Sequence, residues 1–231
     1  AGDQSKEITI KQLANVIATG SNAPFYQWGR KDPLYPSNGM GNTTKIWYDK
    51  EGIPSTANPM KGTFSAGNDC IKNCILNPNL MHNRYNGDYT YYNLWSADNK
   101  TTSANDNPVN KTIYDPCPVG FKLPASNAFT GFTTGESVSS STQVNGTWSS
   151  SEKGWYFYTN SEKTQSIFFP ALGYRSYSTM RPGSIGTQGC FWSAHPVAKG
   201  NNYYLRTSSV DVQPTYMVDR GFGYALRPCQ D

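Results

Sequence analysis

Charge and histidine are what this 231-residue sequence has least of: charged residues make up 16%, and its two histidines are His82 and His195. So few imidazoles exclude a multi-histidine metal centre. The formal net charge of +4 comes from scattered lysines and arginines, with no basic cluster that could track a phosphate backbone, which excludes nucleic acid as a partner. No apolar run approaches membrane-spanning length, so direct membrane insertion is not expected. The opening AGDQSKE is neither a basic n-region nor an apolar h-region, and it reads as the start of a mature or truncated soluble piece. Asp88, Asp98 and Asp106 lie in polar sequence without the spacing of a calcium loop; they read as solvated loop carboxylates, and neither metal nor cofactor is expected.

Cysteine is sparse and odd in number: Cys70, Cys74, Cys117, Cys190 and Cys229. At least one is unpaired within the chain, and the wealth of Asn, Ser, Thr and Tyr suggests a secreted product. Cys70 and Cys74 are spaced i,i+4, a poor geometry for a bridge, and read as buried free thiols. His195 follows Cys190 by five positions, which invites a Cys–His nucleophile. The apolar neighbours Phe191 and Trp192 favour an inert packed thiol instead, and no other catalytic constellation is present. The expectation is that the protein is not an enzyme.

Aromatic residues, at 14%, together with 21 glycines and 15 prolines, suit many short strands joined by long loops. A single α+β domain is expected, with two short helices before residue 80 and the main sheet after residue 150. One helix is read from a capping box at Thr9–Gln12, with Ile10, Leu13, Ala14 and Ile17 on one face and Gly20 as the stop. A second begins near Asn68, with Ile71, Cys74 and Ile75 at helical spacing, and ends at Asn77 before Pro78. Residues 83–110 read as a long ordered loop and 131–151 as a surface loop poor in apolar residues. Strands are expected over 155–159, 165–172, 190–194, 203–208 and 224–227.

The closing stretch, GCFWSAHPVAKGNNYYLRTSSVDVQPTYMVDRGFGYALRPCQD, separates scaffold from display surface. Period-2 alternation puts Tyr203, Leu205 and Thr207 on one face of a strand and Tyr204, Arg206 and Ser208 on the other. Val210 and Val212 are expected inward, with Ser209, Asp211 and Gln213 outward, until Pro214 stops the ladder. Thr215 to Asp219 then carries large side chains with no period. Candidate ligand-binding residues are His195, Tyr204, Arg206, Tyr216, Met217, Asp219 and Phe222, because exposed aromatic and arginine side chains supply contact area and forked polar contacts at low entropic cost.

Three pieces, in order, carry a resemblance: YQWGRKDP at 26–33, KTIYDPCPVGFKLP at 111–124, and the C-terminal series Phe-Trp-Ser, Tyr-x-Leu, Val-x-Pro, Arg-x-x-Gly-Tyr-x-Leu-Arg. Together they resemble the FISUMP-type (major paralogous) domains found on surface proteins of gram-negative gut anaerobes, including fimbrial tip subunits. The resemblance implies a C-type-lectin-like α+β fold over 26–231, with short helices, a twisted antiparallel sheet and long irregular loops, preceded by a helix and lead-in over 1–25. It further implies an extracellular, cell-surface location, outer-membrane-anchored or fimbrial. The implied role is adhesion to a host or microbial glycan or protein, with fimbrial subunits as further partners. Some relatives are variable proteins of diversity-generating retroelements. A structural stalk subunit that binds only its neighbours is the alternative role. The resemblance also implies a Cys117–Cys229 disulfide, worth roughly 5 kcal/mol in the chain-entropy model, although Pro228 sets the last cysteine one place beyond the family pattern. The calcium triplet of the C-type lectins has its counterpart in Gln213-Pro214-Thr215, where threonine replaces a liganding residue. The cysteine pair of the formylglycine-generating enzyme, another relative of this fold, is not matched.

Overall fold

A computed structural model describes residues 24–34, 47–48, 53–55, 61–63, 69–77, 80–82, 91–98, 100, 103–135, 140–197 and 200–231. The helix read at Thr9–Gln12 lies outside the described residues, as does 83–90, the first part of the loop expected over 83–110. The architecture is dominated by antiparallel sheets, in keeping with the strand-rich, loop-heavy expectation. An α+β class is not well supported, because the described residues contain one α-helix, Asp69–Leu76. That helix falls where the spacing of Ile71, Cys74 and Ile75 puts it, and it links the short parallel pair Lys61–Thr63 and Leu80–His82. A helical crossover is the ordinary connection between parallel strands.

At the centre is a three-stranded antiparallel sheet: Gln188–Pro196, Asn201–Ser208 and Val212–Asp219. Its cross-strand pairs include Phe191↔Leu205 and Trp192↔Tyr204↔Tyr216. One face, through Phe191, Leu205 and Val212, packs into a core with Phe25, Phe129, Trp155, Phe157 and Phe169. The other face, through Cys190, Trp192 and Tyr204, packs into a second core with Trp28, Trp95, Leu123 and Tyr224. The alternation read from the sequence is therefore present, but both faces are buried. Tyr204, expected to point to solvent, is only 4% exposed, because its side of the strand meets the second core.

Two further expectations fail in this stretch. Val210 is 62% exposed rather than inward, since Ser208–Asp211 closes a tight corner: the Ser208 amide donates to the Asp211 carbonyl at 2.8 Å and leaves Val210 at the apex. Pro214 does not end the ladder. The pairing slips between Tyr204 and Arg206, which face Tyr216 and Gln213, so Pro214 sits in a bulge on an outer strand. Bulges and edges are the places in a sheet where a missing N–H is tolerated.

The first core is completed by a meander, Gly146–Ser149, Gly154–Tyr158 and Ser166–Pro170. Residues 131–151, read as a loop, contain two 3-10 turns and the first strand of this meander. Three apolar side chains, Phe132, Val144 and Trp148, are enough to anchor the segment to the core. Phe132 stacks on Phe157 with ring centroids 3.9 Å apart.

The chain's two ends of described sequence meet in a four-stranded sheet, where Tyr26–Gln27 pairs with Gly223–Tyr224. The expected strand at 224–227 is thus two residues long and continues only as a parallel bridge, Phe191↔Ala225. Gly223 is required by close approach: a Cβ there would lie 2.6 Å from Leu34 Cδ1. Leu205, wholly buried, and Val210 give a clear test in thermal unfolding. Leu205→Ala and Tyr204→Ala should each cost roughly 2–5 kcal/mol, whereas Val210→Ala should stay within about 0.5 kcal/mol of the parent.

Candidate functional site

The outer strand Val212–Asp219 and the corner before it hold large side chains outward on a packed base. Tyr216 and Met217 are 44% and 50% exposed. Tyr216 rests on Tyr204 in a T-shaped contact of 5.7 Å, and Tyr204 in turn contacts Tyr224 at 4.7 Å and Trp192 at 6.0 Å. The exposed ring is therefore the tip of an aromatic stack that runs into the second core, which fixes its position before any ligand arrives.

Around that ring the polar groups are tied together by Asp211. Its carboxylate is ion-paired with Arg206 Nη1 at 3.4 Å, accepts from Gln213 Nε2 at 3.2 Å, and accepts from the Ser208 hydroxyl. The Asp211 amide donates back to Ser208 Oγ at 3.1 Å, a local serine turn that the Ser-Ser-Val-Asp sequence encodes. Held in this way, the Arg206 guanidinium lies over the Tyr216 ring, 5.4 Å from its centroid. Such a contact favours the cation over the ring's negative face. The bulge at Pro214 brings the pair together: it lets the strand reach Arg206 with Gln213 and Tyr204 with Tyr216, so both side chains share one face.

The remaining candidates are distributed differently. Met217 faces Tyr203 across the strands and therefore points to the other side of the sheet from Tyr216. Asp219 accepts from the Gly221 amide at 2.7 Å and shapes the turn into Phe222. Phe222 is half-buried among Tyr174, Tyr177 and Tyr224, at 5.4, 4.8 and 5.7 Å. His195 is 1% exposed and belongs to the interior, not to a binding surface. Its Nδ1 accepts from the Ser126 amide at 3.2 Å and contacts Ser126 Oγ at 3.0 Å, while that hydroxyl accepts from the Asn105 amide at 2.8 Å. With Nδ1 serving as acceptor, the neutral ring carries its proton on Nε2.

Comparison with models of known families, with curated proteins and with solved structures found no match.

Among the described side chains the cysteines are chemically quiet. Cys74, Cys117, Cys190 and Cys229 are free thiols, so the Cys117–Cys229 bridge is not formed. Cys229 Sγ is turned to the Lys122 carbonyl at 3.4 Å, while the Cys117 amide donates to Asp115 Oδ1 at 2.7 Å in the neighbouring buried turn. Burial, reinforced by the Asp115 carboxylate, pushes the Cys117 thiol far above its ordinary range, and burial does the same to Cys190. Cys190 and His195 are five residues apart on one extended strand, roughly 16 Å at strand spacing, too far for proton transfer. Among the described residues no three His, Cys, Asp or Glu side chains gather as a metal site, and no helix is long and apolar enough to cross a membrane.

Sequence reasoning missed Arg220. Its guanidinium is fully buried, lies 3.9 Å from the Trp28 ring centroid and 5.1 Å from that of Tyr92, and donates to the carbonyls of Asn201, Val197 and Tyr91 at 3.1, 3.2 and 3.4 Å. It pins the turn that carries Phe222 to the N-terminal piece around Trp28. Its place at the head of the Arg-x-x-Gly-Tyr-x-Leu-Arg series sets it apart from exposed Arg181, but its burial is not readable there, because the partners are backbone carbonyls and rings far away in the chain.

Burial holds His195 below its ordinary pKa, with nearby Asp106 opposing the shift. The unfolded chain, titrating near pH 6.5, therefore binds the proton more tightly than the folded one. Stability from this site is complete above about pH 6.5 and is lost as pH falls below it, with a slope of at most about 1.4 kcal/mol per pH unit. Melting curves between pH 7.5 and 4.5 check the sign. His195→Gln should flatten the decline in this window relative to the parent, whereas an unchanged slope would assign the acid lability elsewhere.

Proposed function

We propose that the chain is a non-catalytic ligand-binding domain of FISUMP type with a C-type-lectin-like fold. It acts as an adhesin at the cell surface, at a fimbrial tip or on another outer-membrane-anchored protein, and holds a glycan or protein against its C-terminal strand. The observation that carries this reading is the exposed Tyr216 ring, seated on the Tyr204–Tyr224–Trp192 stack and clamped by Arg206. A large aromatic side chain held outward on a rigid base is the arrangement found at binding hot spots.

The places where the three resembling pieces meet support the family reading. Tyr26 and Gln27 of the first pair with Tyr224 and Gly223 of the last, and Trp192 Nε1 donates to the Tyr26 carbonyl at 2.7 Å. The middle piece joins them where the Ala194 amide donates to the Pro124 carbonyl at 2.9 Å and Cys229 pairs with Lys122. Segments far apart in sequence that share recurrent motifs thus form one packing unit. The absence of catalysis is proposed from the state of the nearest candidates: Cys190 is sealed in the core, and the His195 ring is held by the Ser126 amide.

A second reading, a stalk subunit that binds only neighbouring subunits, is favoured by the outer edge of Val212–Asp219. That strand has one strand partner among the described residues. An open edge can accept a strand from another chain, although Pro214 confines useful pairing to the residues after it.

Replacement of Tyr216 or Arg206 by Ala separates the two. On the adhesin reading, cell-surface capture by the purified protein should fall about tenfold or more, with unfolding free energy within about 1 kcal/mol of the parent. Val119→Ser, at an exposed position in another part of the fold, should leave capture unchanged. Undiminished capture by both outward variants would count against the adhesin reading and turn attention to the strand edge.

A further inference from the structure

We infer that Asp211 sets the ligand class of the Tyr216 platform, which takes an uncharged, hydroxyl-rich ligand, a neutral saccharide, and turns anions away. This rests on the proposed reading of the C-terminal strand as the binding surface. The first support is charge. The Arg206 cation lies over the exposed Tyr216 ring, and its charge is already matched by Asp211 at 3.4 Å. An anionic ligand reaching for Arg206 meets the Asp211 carboxylate at the same place. Two like charges 4 Å apart near a protein surface repel by about 4 kcal/mol at an effective dielectric of 20, which removes most of what the arginine would offer.

The second support is the donor and acceptor inventory. The Asp211 carboxylate offers about four acceptor positions, and three are engaged, by Ser208, Arg206 and Gln213. Arg206 and Gln213 both engage Oδ2, so the remaining acceptor position is on Oδ1 beside the Ser208 hydroxyl, and the cluster presents an acceptor at one end of the carboxylate and the N–H groups of Arg206 and Gln213 at the other. A hydroxyl both donates and accepts, and vicinal hydroxyls match such a cluster; a carboxylate or sulfate, which only accepts, does not. The third support is area. Tyr216 and Met217 point to opposite sides of the strand, so the face that holds the polar cluster has one exposed ring rather than the pooled apolar surface of a protein hot spot. One rigid aromatic ring bordered by polar forks fits the C–H face and hydroxyl rim of a single pyranose.

The test uses the whole chain against a panel of immobilised neutral oligosaccharides built from common hexoses and N-acetylhexosamines, each paired with its sulfated counterpart. Binding to at least one neutral saccharide is expected, about tenfold tighter than to its sulfated form, with loss on Tyr216→Ala. Asp211→Asn should raise affinity for the sulfated form about tenfold by releasing Arg206. Should Asp211→Asn melt far below the parent, Gln213→Lys adds positive charge without touching the serine turn and should move the preference in the same direction. Equal or better binding of sulfated saccharides by the parent would overturn the inference, as would an unchanged preference in both variants. If no neutral saccharide is bound while cell capture still depends on Tyr216, the ligand class is wrong and the binding surface stands. If capture does not depend on Tyr216, the reading beneath the inference fails instead.

Discussion

Burial of the central sheet on both faces is the constraint from which the rest of the structure follows. A strand with one wet face can be satisfied by a single core, but Gln188–Pro196 and Asn201–Ser208 need two, and the chain supplies them from remote segments. The meander and the Phe129–Phe132 turn close one side; Trp28, Trp95 and the turn ending at Leu123 close the other. Aromatic residues dominate both because a thin layer built from loops must fill its volume with few side chains, and each large ring buries about 150–250 Å². The long irregular connections are thus held by single rings dropped into a core, as Trp95 is between Trp28 and Trp192.

The same constraint explains the form of the candidate site. Because Tyr204 is enclosed, the ring that reaches solvent is its cross-strand neighbour Tyr216, at the margin of the sheet rather than at its centre. The display surface is accordingly narrow, and its polar groups come from a corner and a bulge, where the ladder is already interrupted. Arg206, Asp211 and Gln213 bond to one another and to Ser208, and none of them belongs to either apolar cluster.

Local pattern made much of this legible. The helix at Asp69–Leu76, the last two strands of the meander and the inward roles of Leu205 and Val212 all follow from spacing. What pattern missed has physical causes. Tyr204 looks like a solvent-facing residue because tyrosine suits a wet face and a dry one equally, and only the presence of a second core decides between them. Val210 looks buried until the Ser208–Asp211 turn is seen to leave it at an apex. Pro214 reads as a stop because the bulge that accommodates it depends on the partner strand. The interior places of His195 and Arg220 are invisible for the same reason: their partners are backbone groups contributed by distant segments.

The pairing of Tyr26 with Tyr224, across most of the chain, bears on how such a protein is made. During vectorial synthesis the second core lacks its floor until Tyr224 has emerged, and the carbonyls of Tyr91 and Val197 wait for Arg220. Contacts of such long sequence separation form late and slowly. Until they form, a nascent chain exposes its tryptophans to proteases and to other chains. A chain cut short before Arg220 and Tyr224 lacks the side chains that close the second core and pin the Phe222 turn to it.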